Sequence, residues 1–342
     1  MAAEHYDPFV PGSFAVGVRT LEIQDRDRGQ VFPCEVWYPA VGPPFGGASA
    51  GGRAEERDAP AQPGGHPLVI FSHFSGGGRR TAIYLTTHLA SHGYAVAAMD
   101  HSEVVVPELG PRPGEGAADR ARRIDAVIAS RVPDVRVLLS ALTGPRPAAG
   151  LGGIGLDPEL IAVAGHSFGG WTALAAPHSE PRVRAVVALA PGGSSRPVPG
   201  VLPLTLSFGW ERAVPLLILT GDRDVPVPLD GVQEIFGRAP EPKHMFVLHR
   251  ADHQHFTDDV EASHETLRAT TLPGQAAWMT AAMLPISQLC PGEHAHTFAR
   301  GLSLAHLDAV LHGNDAAGRF LADGAESALA ARGVQAVQHH PT

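Results

Sequence analysis

Two cysteines in 342 residues, Cys34 and Cys290, are too few for a disulfide framework or a cysteine-rich metal site. Free thiols are expected, with a single long-range bridge as the alternative. No apolar run approaches the roughly 20 residues that a bilayer-spanning helix needs. The stretch from Met1 to Pro8 has neither the basic start nor the apolar segment of a secretory leader. A cytoplasmic protein without a transmembrane segment is the expectation, unless an export signal has been removed. Blocks of basic residues are missing too: 26 Lys and Arg against 35 Asp and Glu leave a formal charge of -9, which argues against a nucleic-acid surface. Arg120, Arg122 and Arg123 lie close together, but Asp119 and Asp125 accompany them, as on the solvated face of a helix. There is no phosphate-binding P-loop, dinucleotide fingerprint, zinc-type paired-histidine helix motif or internal repeat, so no cofactor and no metal are expected.

What is present is enough for a large core: 44% of residues are hydrophobic, and one domain over 1–342 is the simplest division. The chain is organised around Leu160 to Gly170. There an apolar strand pattern ends in Gly165, His166, Ser167, Phe168, Gly169 and Gly170, and a helix pattern begins at once. Glycines two positions before and after Ser167 allow strand and helix to approach, so the serine can occupy a strained turn with its hydroxyl exposed. This is a nucleophile elbow, with Ser167 as the candidate nucleophile. The Phe168 N–H, at the positive end of the new helix, is a candidate oxyanion donor.

In chain order, the alternation in 14–23 and 31–38 predicts antiparallel strands that open a sheet. Residues 40–67 are rich in Gly, Pro and Ala and read as an exposed loop. Strand, glycine-rich loop, helix and strand follow over 68–99, a parallel unit whose loops emerge at the carboxyl edge of the sheet. The loop after Phe71 offers a second oxyanion donor, the N–H of Ser75 or that of Phe74. Residues 104–116 read as a rim of the cleft, and 119–130 and 134–142 as two helices separated by Pro133. Residues 191–210 form a loop with apolar residues able to line a pocket.

A nucleophilic serine needs a histidine base, and that histidine needs a carboxylate to fix its tautomer. The strand 216–220 delivers Asp222 and Asp224 to the same edge. We favour Asp224, with Asp222 bonding the turn backbone. The last strong strand, 245–248, precedes His253 and His255. With nineteen histidines in the chain, no single one is telling by itself. His253 completes the order nucleophile, acid, histidine, and His255 is its rival. Residues 262–342 read as mainly helical and packed on the domain, with 267–283 as a flap beside the histidine loop.

From about Phe14 to Phe256 the chain resembles the α/β-hydrolases of the platelet-activating-factor acetylhydrolase and bacterial lipase/polyester-hydrolase group. The residues that carry the likeness are Phe71 to Gly76, Leu89 to Val96, Asp100-His101, Gly165 to Gly170, and His253-Gln254-His255-Phe256. The resemblance implies an α/β-hydrolase fold: a mostly parallel central sheet flanked by helices, with excursions over the site. It carries the nucleophile onto Ser167 and the base onto His253. Two departures stand out. Ala188 to Pro191 has no carboxylate where the acetylhydrolase pattern has its acid, so the acid moves to Asp224. Phe74 also replaces the family glycine beside the oxyanion residue, which narrows the acyl pocket or turns the donor. The expected activity is hydrolysis of a small-molecule or lipid-like carboxylic ester through an acyl-enzyme. An amidase or peptidase of the same fold is the alternative, followed by a non-catalytic binding protein.

Overall fold

The apolar runs of the sequence form the middle of a ten-stranded sheet in a computed structural model that describes residues 6–44, 55–105, 109–110 and 112–340. The strands are β1 (Ala15–Asp25), β2 (Gln30–Ala40), β3 (Glu56–Arg57), β4 (His66–Ser72), β5 (Ala95–Met99), β6 (Leu156–His166), β7 (Val183–Leu189), β8 (Leu216–Gly221), β9 (Lys243–Leu248) and β10 (Ala336–His339). Their order across the sheet is β10-β9-β8-β7-β6-β4-β5-β2-β1-β3. From β5 to β9 every neighbouring pair is parallel, whereas β1, β2 and β10 run antiparallel to their inner neighbours. This is the expected α/β class, a largely parallel sheet entered through antiparallel strands.

Parallel strands covered on both faces must be apolar on both. Val69 and Phe71 of β4 join one core with Ala162 and Ala164 of β6, while Leu68, Ile70, Ile161 and Val163 join the other. The first face is closed by α1 (Ile83–Ser91) and by the long C-terminal helix Gly292–Leu311. Three more helices follow α1 in the chain: α2 (Ser102–Val105), α3 (Ala117–Thr143) and α4 (Phe168–Ala175). The second face takes Val135, Leu138, Leu139 and Leu142 of α3, Ala173 and Leu174 of α4, and Val232 and Ile235 of α5 (Leu229–Arg238).

The sequence divides α3 at Pro133, but the helix runs through it. A mid-helix proline costs about 3 kcal/mol. Burying the four aliphatic side chains of the following turns returns roughly 1.5–3 kcal/mol each, so packing outweighs the lost hydrogen bond. Asp134 adds an anchor: it is fully buried, accepts from the Ser102 N–H at 3.0 Å and pairs with Arg28 at 2.6 Å.

The exposed loop expected over 40–67 is also corrected in part. Residues 45–54 lie outside the described residues. Beyond them β3 pairs with β1, Ala40 bridges Ala61, and the Tyr38 hydroxyl donates to the carbonyl of buried Ala59 at 2.8 Å. The chain therefore returns to the sheet edge before β4. Of the expected rim, 106–108 and 111 lie outside the described residues. At the other end α6 (Val260–Arg268) and α7 (Ala277–Ala282) precede the long helix, and β10 adds a strand not expected in a mainly helical region. Its four residues are too short for alternation to show, and it exists by pairing with β9. The segment read as a flap reaches the 191–210 loop, where Trp278 Nε1 donates to the Pro199 carbonyl at 3.0 Å. Both cysteines are buried free thiols.

Candidate functional site

Ser167 sits where β6 turns into α4, with φ 60° and ψ -114°. A positive φ is strained for a serine and persists only where the surroundings impose it. A Cβ on Gly165 would lie 2.3 Å from the Gly169 carbonyl oxygen, and one on Gly169 would lie 1.8 Å from that of Ser72. Both glycines are therefore required by the contact between elbow and β4. The Ser167 N–H donates to Leu189 at 2.9 Å, and its carbonyl accepts from Trp171 at 2.9 Å and Gly192 at 3.3 Å, which fixes the turn while the side chain stays half-buried. Phe168 is the first residue of α4, so its N–H has no acceptor within the helix.

Asp224 follows β8, and His253 lies in the single helical turn His253–Phe256 after β9. Their side chains meet, Nδ1 of His253 at 2.7 Å from Oδ2 of Asp224, while Asp224 Oδ1 accepts from the Val227 N–H at 2.7 Å. Asp222 is turned elsewhere: it accepts from the Arg250 N–H at 2.7 Å and lies 3.1 Å from His249 Nδ1. Burial works against a charged His253, but the Asp224 carboxylate outweighs it and holds the imidazole above its ordinary pKa. The His253 ring also lies 4.7 Å from that of His166, the residue before Ser167. Burial, and then His253, keeps His166 well below the usual histidine value, hence neutral.

His255, the rival base, points into the interior. It is fully buried, 2.8 Å from Asp252 Oδ1, with Nε2 donating to the Cys290 carbonyl at 3.0 Å. The other oxygen of Asp252 lies 2.7 Å from His264 Nδ1 of α6. Against the cost of burial, Asp252 and the Cys290 carbonyl raise His255 to about 10. Both ring nitrogens are thus committed to fastening the histidine turn. Among the described residues no group of three or more His, Cys, Asp or Glu is arranged to hold a metal ion.

Ser75 is exposed in the turn after β4. The Gly77 N–H donates to the Phe74 carbonyl at 3.0 Å and Gly76 has φ 77°, so Ser75 is the second residue of a type II turn and its N–H is not spent within that turn. The Phe74 ring packs edge-on against His166, with 5.6 Å between ring centroids, beside the elbow. Below this loop lies a network the sequence reading missed. Ser72 Oγ lies 2.9 Å from His101 Nε2, and His101 Nδ1 lies 3.1 Å from Asp134 Oδ2. This second Ser-His-Asp chain is sealed, for Ser72 and Asp134 have no exposed surface and His101 almost none. Ser72 Oγ also accepts from Arg131, a fully buried side chain paired with Glu103. Only the Arg-x-x-Asp spacing at 131 and 134 on α3 hinted at it.

A cavity of about 400 Å³ opens beside the Asp224 turn, lined among others by Pro191, Val198, Leu202, Leu204 and Val227. Gly192, on its wall, is the residue bonded to the Ser167 carbonyl.

Residues 53–105 match the family model described as Platelet-activating factor acetylhydrolase, isoform II, a stretch that ends with α2. No curated protein sequence matches the chain. Among solved structures it is similar to a ferulic acid esterase from Streptomyces cinnamoneus, with a TM-score of 0.63 and 25% identity over 89% of this chain and 93% of that one. The likeness extends over most of both chains, and together with the strained turn at Ser167 it places this chain in the α/β-hydrolase superfamily.

Proposed function

We propose that the chain is a serine hydrolase that cleaves carboxylic esters through a covalent acyl-enzyme. The observation that carries the reading is the 2.7 Å contact between His253 Nδ1 and Asp224 Oδ2, at the same sheet edge as the strained Ser167. Asp224 fixes the tautomer, leaving Nε2 to take the Ser167 proton as Oγ attacks the carbonyl. The N–H groups of Phe168 and Ser75 receive the oxyanion. His253 then protonates the departing alcohol, and water attacks the acyl-enzyme with His253 again as base. The likeness to an esterase supports an ester over an amide.

The test combines labelling with a substrate panel. A fluorophosphonate should modify Ser167 and nothing else, as read by peptide mass spectrometry, and Ser167→Ala should remove turnover of p-nitrophenyl esters without lowering the melting temperature. Labelling at another residue would refute the assignment, and faster turnover of anilides than of matched esters would make the enzyme an amidase.

A further inference from the structure

Arg131 has no exposed surface and lies beneath the two backbone segments that carry the proposed oxyanion donors. Its Nη1 donates to the His73 carbonyl at 2.8 Å and to Ser72 Oγ at 3.2 Å, and its Nη2 donates to Glu103. The guanidinium carbon stands 4.0 Å from the centroid of the Phe168 ring. His73 is two residues before Ser75, and Phe168 follows Ser167. One cation therefore bonds the backbone that leads to Ser75 and packs on the ring of Phe168, the two residues that supply the proposed donors.

Stability does not account for such a pair. A buried ion pair is commonly matched or bettered by apolar side chains of similar volume. This one is not fully satisfied either, because Arg131 Nε and Glu103 Oε2 have no hydrogen-bond partner among the described residues. What an apolar residue could not supply is direction: a planar fork that fixes the His73 carbonyl and a flat face on which the Phe168 ring rests. Ser72 Oγ is held from its other side by His101, so the end of β4 is located on two sides.

We propose that Arg131, held in place by Glu103, is a positioning residue that sets the separation between the Ser75 and Phe168 N–H groups. The inference rests on the acyl-enzyme reading above. Donors in such a hole must fit the tetrahedral oxygen rather than the ground-state carbonyl, so misplacing them lowers kcat and leaves substrate binding alone.

The experiment uses two full-length variants. Arg131→Met with Glu103→Leu removes both charges and leaves neither partner alone, and Arg131→Lys keeps the charge without the fork or the flat face. For each, kcat and KM are measured on p-nitrophenyl acetate, together with the affinity for an aryl trifluoromethyl ketone, whose hemiketal oxygen would occupy the hole. We expect kcat in the double variant to fall about 10- to 100-fold with KM nearly unchanged, and ketone affinity to fall by the same factor. Arg131→Lys should fall between the double variant and wild type on both measures. Wild-type kcat and ketone affinity in either folded variant, or a loss of kcat without a loss of ketone affinity, would overturn the positioning role. Should the double variant not fold, Arg131→Lys decides alone. A wild type that fluorophosphonate does not label at Ser167 would instead refute the acyl-enzyme reading, and this inference with it.

Discussion

Asp224 and Asp222 leave the same strand end two residues apart, yet only Asp224 reaches His253, at 2.7 Å, while Asp222 accepts from the backbone of Arg250 at 2.7 Å. Asp224 is buried and its second oxygen is held by the Val227 N–H, so the carboxylate has one geometry to offer the imidazole. Asp222 instead ties the turn after β8 to the turn after β9, where His249 and Arg250 lie.

The two aspartates should therefore separate cleanly in kinetics. Asp224→Asn is expected to lower kcat by about 10⁴-fold, since the amide favours the wrong tautomer. Asp222→Asn should cost about tenfold or less, through a loosened turn. Single-turnover acylation on p-nitrophenyl acetate checks this, and the reverse ranking would move the acid to Asp222.

The pH profile carries a sign. His253 must be neutral to accept the serine proton, so kcat/KM rises as the group loses its proton. Burial alone would lower its pKa, but Asp224 raises it above the ordinary value of about 6.5, which puts the midpoint of the rising limb above that pH. In Asp224→Asn the remaining activity should have its midpoint shifted to lower pH. A wild-type midpoint below 6.5 would contradict the coupling.

His255 should matter for stability, and in a pH-dependent way. Its folded pKa is raised to about 10, so its stabilisation is fully present below the unfolded value of about 6.5 and is lost as pH rises toward 10. Removing one partner of such a buried pair costs roughly 3–5 kcal/mol. His255→Gln should accordingly lower the melting temperature strongly at pH 6 and much less at pH 10, while a folded variant keeps the rising limb of the activity profile. An equal deficit at both pH values would show that His255 is not charged in the native state.

Gly169→Ala tests the elbow itself. The added methyl would lie 1.8 Å from the Ser72 carbonyl oxygen, a backbone atom that cannot step aside without moving β4. We expect a loss of about 4 kcal/mol or more, or failure to fold, as measured by urea denaturation. Gly237→Ala, at an exposed position of α5 with nothing within 4 Å of the added methyl, is the control and should be neutral or slightly stabilising.

The elbow was legible in the sequence because its causes are local. An apolar strand, two glycines at fixed distance from a serine and a helix pattern are contiguous, and the backbone needs little else to make that turn. The succession of apolar runs likewise announced a parallel sheet. Spacing favoured Asp224 over Asp222, but the contact with a histidine some thirty residues on exists only because β8 and β9 lie side by side. Composition and spacing could not show that His255 is consumed by Asp252 and Cys290, that packing carries α3 through Pro133, or that Arg131 and Glu103 pair beneath the serine turn. Each of those outcomes depends on burial and on partners far away in the chain. A side chain's charge and direction are set there by what the fold encloses with it, and that is decided only in three dimensions.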